Sequence, residues 1–381
     1  MELHFEEYRP RKIVNVHKHV DGPWFWGKYT AHPYVGCRSG CEFCYARGSR
    51  YLGQRDPDTF DTLIQVKVNA VELLRKELSK LEHEVISCGD WQRPAEDRYR
   101  LSRGMLEVVL DLGFPLYINE RSPLITRDLD LLIEINRKTW VGVAFSISTV
   151  DPALKQAFEP HSPGPKSRLQ AMRELADAGI LVGASMMPVL PFVGDDEKHL
   201  EDTIRAIKDH GGSFVLGGGL TMDGLQADRT LAAACRYDPA QEKHWRKLYD
   251  WEVGGRPNYS PPSAYNARLG LLVRELCARH GILDRMPRYI EPGPLAINKR
   301  IAEWLFLKTY DLELEQAQAF RLWAYRKAAW AVDEWPESIA DLFDARGEAG
   351  LRELPGIGKS LARQIGEWLQ ETRVDLEGDD Q

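Results

Sequence analysis

Three cysteines, Cys37, Cys41 and Cys44, lie within eight residues of this 381-residue chain. Thiolates at this spacing, on a loop that also contains Gly36 and Gly40, can converge on three corners of an iron–sulfur cube. The fourth iron is then left without a protein ligand, so a molecule that carries an amino and a carboxylate group can chelate it. The spacing therefore predicts a [4Fe–4S] cluster with one open iron.

Other cysteine sites fit the pattern less well. A structural zinc site closes with four ligands, and here the fourth would have to be His32 or Cys88, while paired C-x-x-C knuckles are absent. An electron-transfer cluster with four cysteines lacks its fourth cysteine nearby. A purely structural role for the cysteines is the third alternative. All three alternatives stay open at this stage.

The composition is that of a soluble globular protein, with 43% hydrophobic and 28% charged residues. No run of ~18 apolar residues predicts a membrane helix, and the N-terminus lacks the apolar segment of a secretory signal. We therefore expect a cytoplasmic location and no membrane partner. The remaining cysteines, Cys88, Cys235 and Cys277, are scattered, which suits free thiols in a reducing compartment and not a disulfide framework.

Strand-like and helix-like segments alternate after the cysteine loop, a pattern typical of βαβ units and a parallel sheet. The predicted strands are 84–87, 115–119, 141–148, 180–188 and 213–216, and the predicted helices are 66–81, 99–112, 128–136, 167–178, 200–210, 242–251 and 267–280. Polar clusters follow two strands, at Cys88–Asp90 and Glu120–Ser122. Because ligands bind outside the carboxyl ends of parallel strands, these clusters predict a site.

The cysteine spacing, with aromatic Phe43 directly before the last cysteine, resembles the radical S-adenosylmethionine (SAM) superfamily. In that superfamily the reduced cluster cleaves SAM to a 5′-deoxyadenosyl radical, which takes hydrogen from the substrate. The resemblance implies a [4Fe–4S] cluster and SAM as cofactors, with Phe43 packing near the adenine. It also implies an electron donor such as flavodoxin or ferredoxin.

Further blocks resemble one branch of that superfamily, the spore photoproduct lyase-like or "DNA repair photolyase" branch. They occur in order over residues 32–220, at 32–37, 44–47, 100–107, 124–132, 159–163, 168–179 and 188–196. The implied fold is α/β, a partial (β/α)6 barrel. We expect residues 1–294 to form this domain, with the core at about 32–220 and a helical extension at 221–294.

The resemblance assigns cofactor contacts position by position. Gly89 and Asp90 stand where the family places a polar segment that meets the cofactor's amino group, and Arg121 stands where a basic residue lies near its carboxylate. Ser146 stands where a serine lies near the ribose. Plainer interpretations exist: Asp90 caps a helix, or Arg121 pairs with Glu120 or another surface acid.

Cys88 lies close to the strand end where spore photoproduct lyase carries a cysteine that returns a hydrogen atom to the product radical. The resemblance implies the same catalytic role here. However, its spacing to the following aspartate differs by one residue, and the Asp-Pro-Tyr run expected next is replaced by Asp90-Trp-Gln-Arg-Pro94. The alternative is a small buried core residue, which free cysteine usually is. The substrate of the lyase is not carried over.

Residues 295–369 are predicted to be helical with one break at Leu354–Gly358. Two glycines in a turn before a helix expose N–H groups that suit a phosphate oxygen. The break resembles a helix-hairpin-helix, and with 320–329 and 335–339 it resembles the small N-terminal domain of X-family DNA polymerases, over residues 295–376. The resemblance implies that Gly356, Gly358 and Lys359 contact the DNA backbone.

Two features of this region oppose a simple transfer. No lysine follows Lys359, so the lyase activity of some such domains is not supported. Residues 300–381 contain 10 Lys/Arg and 17 Asp/Glu, ending in an acidic tail at 377–381, and this negative charge opposes binding of a polyanion. A helical module that docks a protein is therefore a second interpretation.

The leading hypothesis is a radical SAM enzyme, lyase-like, that repairs or modifies DNA. The first alternative is a radical SAM enzyme that modifies a protein, peptide or small molecule, with the C-terminal domain as a docking module. The second is a non-catalytic DNA-binding protein with a structural metal site.

Overall fold

The computed structural model describes residues 2–52, 55–252 and 254–378. The chain divides into two compact units. The first contains the residues up to Lys18 together with Gly27–Met286, and the second contains His19–Trp26 together with the residues from Pro287 on. The short N-terminal segment in the second unit was not anticipated from the sequence, which places the boundary after residue 294.

The first unit is built on a seven-stranded sheet. Six of its strands run parallel and lie side by side in the order in which they occur along the chain, and a two-residue strand, Asn15–Val16, pairs antiparallel at one edge. The strands of this sheet are β2 Asn15–Val16, β3 Tyr29–Ala31, β6 Ile86–Cys88, β7 Leu116–Glu120, β8 Val141–Ser146, β9 Leu181–Val189 and β10 Phe214–Gly219. The predicted α/β fold with six parallel barrel strands is confirmed.

Helices between the strands cover one face of this sheet. They are α2 Ala70–Leu78, α4 Leu101–Leu112, α5 Leu129–Lys138, α7 Pro165–Asp177 and α8 Glu197–Asp209. Two further helices pack elsewhere: α3 Ala95–Tyr99 against the strands of a smaller sheet and α6 Pro152–Phe158 against the cysteine loop. Side chains alternate along each strand. In β7, Leu116 and Ile118 pack into the core beneath the helices, so Tyr117 and Asn119 face the concave side. The concave side is where the site residues of this strand lie.

A small second sheet precedes the barrel helices, and it corrects one predicted helix. Strand β5, Leu63–Lys67, lies between β1, His4–Tyr8, and β4, Tyr34–Val35. The predicted helix 66–81 is therefore wrong at its start: Val66 belongs to β5, where it is fully buried, and α2 begins at Ala70. Pairing with two strands far away in sequence overrides the local helical periodicity.

Three helices follow the last barrel strand, α9 Gly224–Tyr237, α10 Gln241–Leu248 and α11 Ser263–Arg279. A short helix α1, Ser49–Leu52, and 3₁₀ turns at Tyr45–Arg47, Pro57–Thr59 and Pro123–Asp128 lie among the earlier loops. The aromatic side chains of Trp245 and Tyr249 form a second apolar core together with Phe43 of the cysteine loop. The helical extension therefore contributes directly to the packing of that loop.

The second unit is helical, with α12 Ala296–Leu314, α13 Ala319–Asp333, α14 Ile339–Leu351 and α15 Lys359–Gly378. The sequence predicted one break in the helical region, at Leu354–Gly358, and the structure has two more, near residues 315–318 and 334–338. The predicted acidic tail extends beyond the last described residue. In the described part of the chain, no helix is long and apolar enough to cross a membrane.

Residues His19–Trp26 pack tightly inside the second unit. Trp26 is 2% exposed, its ring meets Phe306 edge-on at 5.7 Å, and the guanidinium of Arg288 lies 5.0 Å from its centre. His19 stacks on Trp330 at 4.3 Å. This segment is thus a structural part of the C-terminal unit.

Candidate active site

The cysteine loop leaves strand β4 through a turn that requires glycine. Gly36 has φ +96°, and a Cβ there would lie 2.7 Å from the carbonyl oxygen of Leu63. The main-chain N–H of Cys37 donates to Phe60 at 2.9 Å, and that of Cys44 donates to Cys41 at 3.2 Å. These bonds fold residues 37–44 into a compact loop.

Of the three thiols in the loop, Cys41 is buried, and Cys37 and Cys44 are partly buried. Burial raises the pKa of Cys37, Cys41 and Cys44, that of Cys41 to about 12. The charges of Asp90, Cys41 and Cys44 raise the pKa of Cys37 further. In the described ranges, no three His, Cys, Asp or Glu side chains are placed to hold a single metal ion.

The first helix of the extension anchors this loop. Glu42, between two of the cysteines, pairs with Arg229 at 3.0 Å and Arg236 at 2.9 Å on α9. Thr230 donates to the carbonyl of Glu42 at 3.1 Å, and Gln226 donates to the carbonyl of Phe43 at 3.3 Å. The sequence did not predict these four α9 residues as part of the site, because no local pattern links α9 to a loop so far away in the chain.

Arg121 extends from the end of β7 towards the cysteine loop. Its guanidinium carbon lies 5.9 Å from the centre of the Phe43 ring, and its Nη1 lies 2.6 Å from Oε2 of Glu159. Burial opposes the charge of Arg121, but Cys41 and Glu159 outweigh it and raise the pKa of the guanidinium. The structure thus brings the predicted residues Phe43, Cys41 and Arg121 together.

The plainer interpretation paired Arg121 with Glu120 or a surface acid, but its partner is the buried Glu159. Glu120 accepts hydrogen bonds from the main-chain N–H groups of Arg121 (2.6 Å), Ser122 (2.8 Å) and Trp91 (2.8 Å). It therefore ties the end of β7 to the loop after β6. Glu159, which is 2% exposed, was not predicted as a site residue.

Glu159 also pairs with a second arginine. Nη2 of Arg168 lies 2.5 Å from Oε2 of Glu159, and Nη1 of Arg168 donates to the carbonyl of Ser146 at 2.7 Å. Burial disfavours the charged carboxylate, but the two arginines outweigh it and lower the pKa of Glu159 to about 2. One chain of contacts thus connects Arg121 to strand β8.

Two polar atoms of this network are buried without a hydrogen-bond partner among the described residues. They are Oε1 of Glu159 and Nη1 of Arg121. The Arg121 nitrogen lies close to the other oxygen of Glu159, Oε2, but the contact lacks hydrogen-bond geometry. Buried polar atoms are satisfied in most native structures. These atoms, beside the cysteine loop, mark a place where a polar ligand fits.

The Gly89–Asp90 segment forms a tight turn after β6. Gly89 has φ +90°, and a Cβ there would lie 2.7 Å from the ring of Trp91. Asp90 accepts from the main-chain N–H of Gln92 at 3.0 Å and from its side-chain amide at 2.8 Å. Helix α3 begins later, at Ala95, so the expectation that Asp90 caps a helix is wrong. Burial and the charge of Glu120 raise the pKa of Asp90 to about 7.

Ser146 lies at the end of β8 on the concave face. Its hydroxyl donates to the side-chain oxygen of Asn119 on the neighbouring strand, at 3.1 Å. Asn119 was not predicted, although the alternation of buried and polar residues along β7 places it on the same face as the predicted site. Nδ1 of His32, directly after β3, donates to the carbonyl oxygen of Gly89 at 3.2 Å.

Cys88 lies on the other face of its strand. It is 1% exposed and packs in the core between the sheet and the helices, together with Ile86, so that Ser87 is the β6 residue on the concave side. Burial raises the pKa of its thiol to about 12. The strand alternation therefore separates Cys88 from Asn119 and Ser146, and its position gives the predicted catalytic role no support.

The second predicted site is the turn between α14 and α15. Leu354 and Ile357 are 2% and 4% exposed and anchor the turn in the helical core. Gly356 has φ +78°, and a Cβ at Gly358 would meet no atom within 4 Å. Lys359, the first residue of α15, is exposed. The turn thus presents an open main chain at a helix N-terminus.

Comparisons with known families agree with this architecture. Residues 32–207 match the model of the radical SAM superfamily, and residues 296–374 match that of a helix-hairpin-helix domain. An uncharacterized protein of Mycobacterium tuberculosis is 32% identical over 259 residues, which cover 66% of this chain and 74% of the relative. The chain belongs to the radical SAM superfamily. The predicted membership and the predicted C-terminal helix-hairpin-helix domain are confirmed.

One further relative of this radical SAM protein and one solved structure are informative. The radical SAM Nα-GlyT isomerase of Pseudomonas phage M6 is 28% identical over 49% of this chain, which spans 38% of that enzyme. The solved structure of spore photoproduct lyase complexed with dinucleoside spore photoproduct has a TM-score of 0.53 at 17% identity, over 74% of this chain and 81% of the lyase. This likeness shows a shared fold.

Proposed function

We propose that this radical SAM protein reductively cleaves SAM and uses the resulting radical to repair or modify DNA. The observation that carries the first half is the loop of Cys37, Cys41 and Cys44, with the guanidinium of Arg121 beside its Phe43 ring at 5.9 Å. Cysteine thiolates are the usual ligands of such clusters. Oε1 of Glu159 and Nη1 of Arg121 have no hydrogen-bond partner among the described residues, and a [4Fe–4S] cluster with a ligand that carries both an amino and a carboxylate group fits beside them.

Within this proposal, Cys37, Cys41 and Cys44 hold three irons. When bound, the reduced cluster supplies the electron that cleaves SAM to a 5′-deoxyadenosyl radical. Arg121 provides the fixed positive charge for the cofactor's carboxylate, and Phe43 packs near its adenine. Gly89 and Asp90 lie at the neighbouring strand end, where they would meet its amino group.

The remaining residues of the network position these groups. Glu159 holds Arg121 by charge while Arg168 ties Glu159 to the main chain of Ser146, so the guanidinium is oriented before a ligand arrives. Ser146 and Asn119 present a hydroxyl and an amide on the concave face, which suit a ribose. Such preorganised polar groups cost little reorganisation at the moment of reaction.

The DNA half of the proposal draws support from the C-terminal unit and from the fold. A turn of two glycines at a helix N-terminus exposes N–H groups for a phosphate oxygen, and Lys359 adds a charge there. The barrel also shares its fold with a lyase solved with a dinucleoside photoproduct. An acidic electron carrier would complete the system.

A second candidate is modification of a protein, peptide or small molecule, with the C-terminal unit as a docking module. The excess of acidic over basic residues in residues 300–381 favours it, because non-specific DNA affinity rests on neutralised phosphates. A related phage protein is named an isomerase, so the relatives of this chain are not all lyases.

An anaerobic assay for 5′-deoxyadenosine tests both halves. The reconstituted, dithionite-reduced protein should release 5′-deoxyadenosine from SAM, and the Cys41→Ala variant should not, whereas Cys235→Ala should behave like the wild type. Damaged DNA, intact DNA and RNA are then offered separately. The absence of 5′-deoxyadenosine under every condition would exclude the enzyme, and unchanged DNA affinity in Lys359→Glu would exclude the phosphate contact.

A further inference from the structure

Arg47 is a fully buried arginine just after the cysteine loop. It is 1% exposed and is the last residue of the 3₁₀ turn that follows Cys44. Its main-chain N–H donates to the carbonyl oxygen of Cys44 at 3.2 Å. Arginine is almost never fully buried unless it is paired, so groups inside the protein must balance its charge.

The partners of this guanidinium lie in segment 57–61, which precedes strand β5. Nη2 of Arg47 lies 3.2 Å from Oδ2 of Asp61, and Nη1 donates to the carbonyl oxygen of Pro57 at 3.3 Å. The guanidinium carbon lies 4.9 Å from the centre of the Phe60 ring. The carbonyl oxygen of Phe60 also accepts from the main-chain N–H of Cys37 at 2.9 Å. Arg47 therefore connects both ends of the cysteine loop to one segment.

These partners balance the charge of Arg47 only in part. Asp61 is shared, because Nη2 of Arg229 lies 4.0 Å from the same carboxylate oxygen. Nε of Arg47 is buried and has no hydrogen-bond partner among the described residues. A buried charge that is incompletely paired is costly. An anionic group beside the cysteine loop would offset that cost.

Cys44 is the predicted cluster ligand that this charge reaches. Burial raises the pKa of its thiol, whereas the main-chain N–H of Ala46 and the charge of Arg47 lower it. Asp61 lies against the loop as well, since a Cβ on Gly40 would lie 3.1 Å from its Oδ2. The pair of Arg47 and Asp61 therefore places one charge of each sign beside the segment that carries the three cysteines.

We propose that Arg47 is a positioning residue whose buried guanidinium raises the reduction potential of a cluster held by the cysteine loop. The inference rests on the proposed function, because only a redox cluster has such a potential. Three thiolates outweigh the positive charge of a [4Fe–4S] core, and reduction adds one electron while no bond or proton moves. A fixed positive charge nearby stabilises the reduced form more than the oxidised form. The net charge around a cluster is among the factors that set its potential.

Burial makes this charge effective. Salt screens a buried charge much less than an exposed one, and a guanidinium keeps its charge at every pH at which the protein is folded. Asp61 acts in the opposite direction, because its negative charge disfavours the added electron. Removing Arg47 or Asp61 therefore shifts the potential in opposite directions, whereas a purely structural role would make the two changes act alike.

The test measures the reduction potential of the reconstituted protein in the absence of SAM and DNA. Titanium(III) citrate gives one electron to each cluster and becomes titanium(IV), and electron paramagnetic resonance follows the reduced cluster. In Arg47→Gln we expect the equilibrium constant for reduction to fall about tenfold, which corresponds to about 59 mV for one electron. In Arg47→Lys, which keeps the charge, it should fall by less than about threefold, and in Asp61→Asn it should rise about threefold or more.

Arg288→Gln is the matched control. The side chain of Arg288 is 4% exposed and pairs with Asp333 in the C-terminal unit, so this variant also removes a buried arginine from an ion pair. Its potential should equal that of the wild type. An unchanged potential in Arg47→Gln, an equal fall in Arg47→Lys, or an equal fall in Arg288→Gln would overturn the proposal.

The sign of the Asp61→Asn shift gives an independent result. If Arg47→Gln binds no iron, a rise in Asp61→Asn supports the proposal, and a fall or no change overturns it. Failure of the proposed function is distinguishable, because a wild-type protein that binds no iron and sulfide would exclude the cluster itself. Equal potentials in all the variants and the wild type would exclude only the role of Arg47.

Discussion

The carboxylate of Glu159 lies 2.6 Å from the guanidinium of Arg121, and the same oxygen receives Arg168. All three side chains are largely buried, so the two arginines share one anionic partner inside the protein. A buried pair of this kind is costly to break, because the remaining charge is left uncompensated. Glu159 is therefore the residue on which the orientation of Arg121 depends.

Replacing Glu159 by Gln keeps the size of the side chain and removes its charge. We expect the unfolding free energy to fall by about 3–5 kcal/mol, and SAM affinity to fall about tenfold or more, since a hydrogen bond to a charged group contributes about 1.5–3 kcal/mol. Chemical denaturation and a SAM titration measure the two effects. Glu107→Gln, an exposed change on α4, is the control; equal effects in both variants would contradict the role of Glu159.

The pKa of Glu159 also predicts acid sensitivity. It is lowered from 4.5 to about 2 in the folded protein, so this carboxylate stabilises the fold fully above pH 4.5, and that contribution is lost as the pH falls towards 2. Chemical denaturation between pH 5 and 2 should show that the unfolding free energy falls more steeply with decreasing pH in the wild type than in Glu159→Gln. Parallel curves would argue against the ion pairs.

Asp90 predicts the opposite dependence in the apoprotein. Its pKa is raised from 3.8 to about 7, so its contribution to stability is complete below pH 3.8 and is lost as the pH rises through 7. Asp90→Asn should remove this loss and leave the apoprotein more stable than the wild type near pH 8. Thermal unfolding of both proteins at pH 5 and pH 8 checks this expectation. A larger stability gain of Asp90→Asn over the wild type at pH 5 than at pH 8 would contradict it.

Cys88 should act through packing. In Cys88→Ala we expect a stability loss of about 1–2 kcal/mol, as for a small core truncation, with an unchanged yield of 5′-deoxyadenosine and unchanged products. Cys277→Ala, at an equally buried position, is the matched control. A changed product distribution at unaltered stability would restore the hydrogen-donor role.

Trp26 should stabilise the C-terminal unit, although it lies near the N-terminus. Trp26→Ala removes a ring that is 2% exposed and should cost about 3–5 kcal/mol. Hydrogen exchange should speed up in α12 and α13, where its partner Phe306 and the His19 partner Trp330 lie. Trp323→Ala, at a 44% exposed position, should have a much smaller effect. Equal effects would contradict the integration of His19–Trp26 into this unit.

The local pattern of the chain was sufficient for five of the six parallel strands, β6 to β10, and for the glycine turn before α15, whereas β3 was not predicted. Each depends on short-range chemistry: strand alternation, or glycine in a tight turn. The same local pattern failed at Val66, where helical periodicity concealed a strand that pairs with β1 and β4.

What the sequence alone determined is the superfamily of the chain, because Cys37, Cys41 and Cys44 are close in the chain and their spacing is a local feature. Only the tertiary structure decided which residues surround the cysteine loop. Glu159 reaches Arg121, α9 reaches Glu42, and Cys88 turns into the core, because strand register and helix packing bring distant residues together and assign each strand residue to one face of the sheet. Such contacts leave no local signal in a single sequence.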